Sequence, residues 1–174
     1  MIEYTARRIS EKISKASTTN VSVDVMAYAL GFYLNFFGVI LLTAAAGATL
    51  GCFKEAMIAM GAFGVLRICS GGAHMKSLTA CTVVSAAIFC AIPFIPMSDH
   101  ATLAITATSV VIVAIKSPSF RHKPNMGGRK KMFYRTVSVA MVAANLLFGS
   151  AAFALACLAQ GVTLFRLREG GEHS

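Results

Sequence analysis

The chain has 174 residues, of which 56% are hydrophobic and 13% charged. That charge content is about half of what a soluble domain carries, and the apolar residues run in unbroken stretches that leave no polar face for water. The net charge of +9 does not point to nucleic acid, because the basic residues cluster at the ends of apolar stretches, as in membrane proteins, and no zinc-finger spacing or soluble basic domain accompanies them. The expected fold is all-α: a polytopic membrane protein of about six transmembrane helices, preceded by an amphipathic interfacial helix, with the lipid bilayer as its main solvent.

In chain order, residues 1–19 read as an amphipathic cytoplasmic arm. Ile2, Ala6, Ile9, Ile13 and Ala16 recur at spacings of four and three, and Arg7, Arg8, Glu11, Lys12 and Lys15 fill the other face. Anionic lipid attracts such a basic face. Met1–Asn20 lacks the central apolar region and cleavage site of a signal peptide. Apolar segments then run over Val23–Leu50, Phe53–Leu66, Leu78–Pro96 and Ala101–Ile115. The last stretch, Met132–Leu167, exceeds the roughly 20 residues that one crossing needs and is divided near Gly149-Ser150. Residues 1–174 thus form one integral membrane domain, with residues 116–135 as a basic cytoplasmic loop.

Charge placement predicts orientation. With the N-terminus inside, all of the 16 Lys and Arg residues except Lys54 fall on inner segments, which predicts a multi-pass protein of the cell membrane with both termini cytoplasmic. Asn35 and Asn145 lie in apolar segments and are expected to bond between helices. Asp24 reads as an early-turn acid after an Asn20 or Ser22 cap. Ala44 with Ala48 and Gly47 with Gly51 have the spacing of close helix contacts, which permits a homodimer.

The five cysteines, Cys52, Cys69, Cys81, Cys90 and Cys157, include no CxxC pair, so neither a metal site nor a cofactor is expected. Four of them read as small hydrophobes. Cys81 differs because of the segment before it. Residues 66–81 form the polar break between the second and third apolar segments, and read as a loop and helix start. Gly71 and Gly72 allow a tight turn and close approach by another part of the chain. His74 follows, and Ser77 is a suitable N-cap that would put Cys81 at the end of the first helical turn. A thiol there gains thiolate character from the helix dipole. On one continuous helix His74 and Cys81 would differ in height by about 10.5 Å, so a dyad requires His74 on the loop, folded over the helix start. A nucleophile, a base and free backbone N–H groups for an oxyanion would then lie together. Taken singly, a solvated His and a packing Cys remain the ordinary readings of these residues.

Arg67, Gly72-Ala73-His74 and Cys81, set between two apolar segments after a basic amphipathic arm, resemble the accessory gene regulator B (AgrB) family of membrane cysteine proteases. The resemblance extends over nearly the whole chain, including Lys123-Pro124 and Arg129-Lys130-Lys131. It implies that His74 and Cys81 are the catalytic pair and that Arg67 and Gly72 support them, alongside Gly71, Lys76 and Ser77 of the same break. It also implies a short AgrD-like propeptide as substrate, cleaved near its C-terminal tail and cyclised through a thioester to a thiolactone or lactone. Such propeptides have acidic tails, which Arg121, Lys123, Arg129, Lys130 and Lys131, with Arg67 or Lys76, could attract. The competing readings are a small non-enzymatic transporter, with Asn35 and Asn145 lining a path, and a regulatory membrane subunit.

Overall fold

The computed structural model describes residues 1–16, 21–72, 77–119 and 127–165. These form α1 (Ile2–Ala16), α2 (Val23–Thr49), α3 (Phe53–Ser70), α4 (Leu78–Ala91) continued by a 3-10 turn (Ile92–Phe94), α5 (Asp99–Lys116), α6 (Gly128–Phe148) and α7 (Ala151–Phe165). No strand occurs among the described residues; one isolated bridge joins Gly71 to Ser119. Each predicted apolar segment is a helix, and the long final stretch breaks where expected, with Gly149 in the left-handed region at φ 61°. Ser22 caps α2 by accepting from the Val25 N–H, with Asp24 in the first turn, and Ser98 caps α5.

Two boundaries differ from the sequence reading. The helix begun at Phe53 does not stop at Leu66 but runs to Ser70, so Arg67 is a helical residue, not a loop residue. The extension holds because its polar groups find partners: Ser70 Oγ donates back to the Leu66 carbonyl at 2.7 Å, and the Arg67 guanidinium bonds to α7. The basic stretch 116–135 is likewise not all loop. Helix α6 starts at Gly128, so Arg129, Lys130, Lys131 and Arg135 are helical, as suits residues of high helix propensity. Arg135 Nε donates to the Ser117 carbonyl at 2.9 Å, which ties the start of α6 to the end of α5.

The packing is inverted relative to a soluble protein. The buried positions are mostly small or polar: Ala56, Ala59, Ala62, Thr43, Thr106, Ser109, Asn145 and Gln160 among them. The large apolar side chains point outward, including Phe32, Phe36, Phe37 and Leu41 of α2 and Leu147 and Phe148 of α6. Small residues let helix backbones approach, and polar ones hydrogen-bond across, where lipid rather than water covers the outside. Among the described residues, α2 and α5 are long and apolar enough to cross a membrane, and the α4 region and α7 are shorter apolar helices.

Helix α2 packs on α3 and α4, α3 on α7, and α5 on both α6 and α7. Asn145 Nδ2 donates to Thr106 Oγ1 of α5 at 3.0 Å, the expected interhelical bond. Asn35 also bonds between helices, but as the acceptor: Thr82 Oγ1 of α4 donates to its Oδ1 at 2.8 Å. Gly47 approaches the chain's own α3, where a Cβ would lie 3.2 Å from Phe53 Cα. Part of the small-residue stripe is therefore used within the fold.

Helix α1 packs along α2 and touches α4. It buries Ala6 of the predicted apolar face together with Ser10 beside it, and leaves Ile9 and Ile13 exposed beside Arg8 and Lys12. The arm therefore has two apolar edges, one turned to the helices and one turned away from them.

Candidate active site around Cys81

Cys81 is placed by the first turn of α4. Ser77 is the N-cap, with extended backbone, and its Oγ accepts from the Ala80 N–H at 3.4 Å. The Cys81 N–H donates to the Ser77 carbonyl at 3.0 Å, so Cys81 sits one turn in and is half-buried. The cap residue and the position of Cys81 match the sequence reading. The helix does not extend back through residue 77, so no continuous helix links position 74 to Cys81. His74 and Lys76 lie outside the described residues, as do Arg121 and Lys123.

Helix α2 holds the buried side of α4. A Cβ at Gly31 would fall 2.9 Å from Leu78 Cδ1, and one at Gly38 would fall 3.2 Å from Thr82 Cγ2. Asn35, between them, takes the Thr82 hydrogen bond. The two residues gripped by this stripe, Leu78 and Thr82, bracket Cys81 in sequence, so α2 sets the depth and rotation of the helix that carries the thiol.

The end of α3 is held from two directions. Ser119 N–H donates to the Ser70 carbonyl at 2.8 Å, supplying a partner that the helix end lacks. From α7, Gln160 Nε2 donates to Ser70 Oγ at 3.1 Å and to the Gly71 carbonyl at 2.6 Å. Its Oε1 accepts from Arg67 Nη1 at 3.3 Å and from Thr163 Oγ1 at 3.1 Å. Gln160 is fully buried and every polar site of its amide is used, so it is an anchor with little freedom. The chain then turns through Gly71 at φ 75° and Gly72 at φ 138°. A Cβ on Gly72 would stand 2.7 Å from Thr163 Oγ1 and 3.0 Å from Gln160 Nε2. The close approach expected of the glycine pair is to α7, and only a residue without a side chain fits there.

Arg67 is half-buried; its guanidinium lies 5.5 Å from the Phe63 ring centroid and within electrostatic reach of Cys81. Arg67, Gly71, Gly72, Ser77 and Cys81 are thus gathered where α3 ends and α4 begins. Arg129, Lys130 and Lys131 are exposed in the first turn of α6.

Two contributors were missed by the sequence reading. Gln160 could have been found, because it is the one amide in the apolar stretch Ala151–Leu164. Glu3 carried a weaker signal, as an isolated acid at the tip of a basic arm. Its carboxylate accepts from the Leu78 N–H, from Ser77 Oγ at 3.1 Å and from Thr79 Oγ1 at 3.1 Å. Its own backbone N–H lowers the carboxyl most; desolvation opposes it, and the Leu78 N–H with the Ser77 and Thr79 hydroxyls carries it down to about 2.

A family model described as Accessory gene regulator B matches residues 6–164, most of the chain. The chain belongs to the AgrB family. No curated protein and no solved structure matches it. AgrB membership implies a processing enzyme in quorum sensing, with a propeptide of the AgrD kind as its partner. Together with the two long apolar helices it marks the chain as membrane-associated.

Proposed function

We propose that the protein is a membrane-embedded cysteine endopeptidase that cleaves its propeptide near the C-terminal tail and cyclises it, with Cys81 as nucleophile and His74 as its base. The observation that carries this reading is the setting of Cys81: one turn into a capped helix, with Arg67 at the end of the preceding helix in electrostatic reach. The Cys81 thiolate attacks a peptide carbonyl, and the positive end of the α4 dipole favours the developing oxyanion. The C–N bond breaks, and the proton that His74 took from the thiol goes to the leaving amine of the tail. A Cys or Ser of the substrate then attacks the thioester, its proton returning to the Cys81 sulfur through His74. The product is a thiolactone or lactone still joined to its leader. Because the second step is acyl exchange and not hydrolysis, a site with little water suits it.

On this reading Arg67, Gly71, Gly72 and Ser77 support the pair, and Lys76 with Arg121, Lys123, Arg129, Lys130 and Lys131 attracts an acidic tail. The domain is a single multi-pass unit of about six spans in the cell membrane, with both termini cytoplasmic. The inverted packing and the one-sided charge order support that arrangement. The test is co-expression with the AgrD-type propeptide, followed by mass spectrometry of the products. Cleavage is expected from the wild type and none from Cys81→Ala or His74→Ala, with an acyl adduct on Cys81 trapped when the substrate's internal nucleophile is removed. Cleavage that persists in both variants overturns the proposal.

A further inference from the structure

The start of α4 lacks a carboxylate of its own. In a capping box the Ser N-cap is followed three residues later by Glu or Gln, which reaches back to a free backbone N–H. Here Ser77 is the N-cap but the third residue is Ala80, and no Asp or Glu occurs between Glu55 and Asp99. The missing group arrives from the arm. Glu3 Oε1 takes the Leu78 N–H and the Ser77 hydroxyl, and Oε2 takes the Thr79 hydroxyl. Thr79 Oγ1 in turn accepts from the Ile2 N–H at 3.0 Å. The first turns of α1 and α4 therefore meet, and both present the positive ends of their dipoles. Two such ends, each carrying about half an elementary charge, would repel; the Glu3 carboxylate lies between them and bonds to the first turn of α4. Among the described residues, Glu11, the other acid of the arm, pairs along its own helix with Arg7.

We propose that Glu3 is a positioning residue for the processing reaction, clamping the first turn of α4 so that Cys81 meets the substrate carbonyl at a fixed height and angle. The stripe Gly31, Asn35, Gly38 of α2 holds the side of α4 that faces the helices, and Glu3 holds its open end. The arm leaves Ile9 and Ile13 exposed beside basic residues, so seating that edge on lipid would fix the height of the clamp as well. The inference rests on the reading of Cys81 as the nucleophile.

The experiment compares the full-length protein with Glu3→Ala, Glu3→Gln, Glu11→Gln and Cys81→Ala in nanodiscs containing anionic lipid, acting on its AgrD-type propeptide. A misplaced nucleophile costs about 10- to 100-fold in the chemical step, so Glu3→Ala is expected to lower kcat by that factor with KM within about twofold. Glu3→Gln, whose amide oxygen still accepts the Leu78 N–H, is expected to recover most of the rate, and Glu11→Gln to match the wild type. Wild-type kcat in Glu3→Ala overturns the proposal; so does a rise in KM alone, or a Gln variant as slow as the Ala variant. If Glu3→Ala does not fold, Thr79→Val reports on the same clamp: a lower kcat at unchanged KM supports it, and wild-type kinetics overturn it. Persistent cleavage by Cys81→Ala sinks the nucleophile assignment itself, whereas an inactive Cys81→Ala beside a fully active Glu3→Ala sinks the clamp alone.

Discussion

Two buried amides at opposite ends of the helical body do different work with the same chemistry. Asn145, at the α6–α7 turn, donates to Thr106 Oγ1 and to the Ser150 carbonyl, and accepts the Ser150 N–H at 3.1 Å. It closes a two-residue connection on itself and on one neighbouring helix. Gln160, near the other end of α7, bonds to Ser70, Gly71, Arg67 and Thr163. Three of these partners, Arg67, Ser70 and Gly71, lie at the end of α3 and just beyond it, on the side of the chain that leads toward Cys81. Both amides are saturated, as burial requires, so saturation alone does not mark function. What distinguishes the Gln160 end is that the anchored backbone is a pair of glycines in the connection between α3 and the helix that carries Cys81.

The largest expected contrast between the ends comes from their glycines. Gly72→Ala meets Thr163 Oγ1 and Gln160 Nε2 and takes a φ of 138° that side chains rarely adopt. It is expected to abolish propeptide processing while far-UV circular dichroism remains helical, at a strain cost of about 1–3 kcal/mol. Gly149→Ala has open space around its Cβ at φ 61°. It is expected to cost about 1 kcal/mol, read as a small fall in Tm, and to leave processing intact. Equal processing by the two variants would erase the distinction between the ends.

The next contrast separates stability from activity. Gln160→Leu strips partners from the Gly71 carbonyl, Ser70 and Arg67, and Asn145→Leu strips them from Thr106 and Ser150. Each leaves buried polar groups unsatisfied, at about 1–3 kcal/mol per group. Both variants are expected to lower Tm, but only Gln160→Leu is expected to reduce kcat in a cleavage assay. A comparable kcat loss in Asn145→Leu would mean that the site responds to global loosening and not to the Gln160 anchor.

The smallest effect is electrostatic and belongs to the site end alone. The Glu3 carboxyl is lowered from an ordinary 4.5 to about 2. A depressed carboxyl stabilises the docked arm fully above pH 4.5, and that contribution fades as the pH falls through 4.5 toward 2. Because Glu3 is exposed, solvent screening keeps the effect modest. Hydrogen exchange of the Leu78 and Thr79 amides should therefore quicken between pH 4 and 2 beyond its intrinsic trend, and the excess should vanish in Glu3→Gln. No excess in the wild type would show that the arm is held by Ala6 and Ser10 packing alone.

The helices were legible because hydropathy, caps and breakers are local. The run from Val23, the Ser22 and Ser77 caps and the Gly149 break all act within a turn or two of themselves. The ends of α3 and α6 were misjudged for the complementary reason. Arg67 and Ser70 read as polar and therefore as loop, yet α7 supplies their partners from about 90 positions away. The basic residues of 128–135 read as connection because charge alone says nothing of whether a segment is helical. Around Cys81, the thiol, its cap and the turning glycines were visible as residue types in order. Gln160 stood out as a lone amide and Glu3 as an isolated acid, but nothing in their neighbourhoods, or in those of Thr163 and Gly31, refers to residues 70–82.

Composition and charge order, acting through local propensity, determined by themselves an all-helical chain with long apolar stretches, a basic amphipathic arm and a capped helix carrying Cys81. Only the tertiary structure decided which way the small and polar residues face, that Gly72 turns against α7, and that Glu3 reaches the first turn of α4. Hydrogen bonds and steric fit act over about 3–4 Å of space, and sequence distance places no limit on which residues come that close.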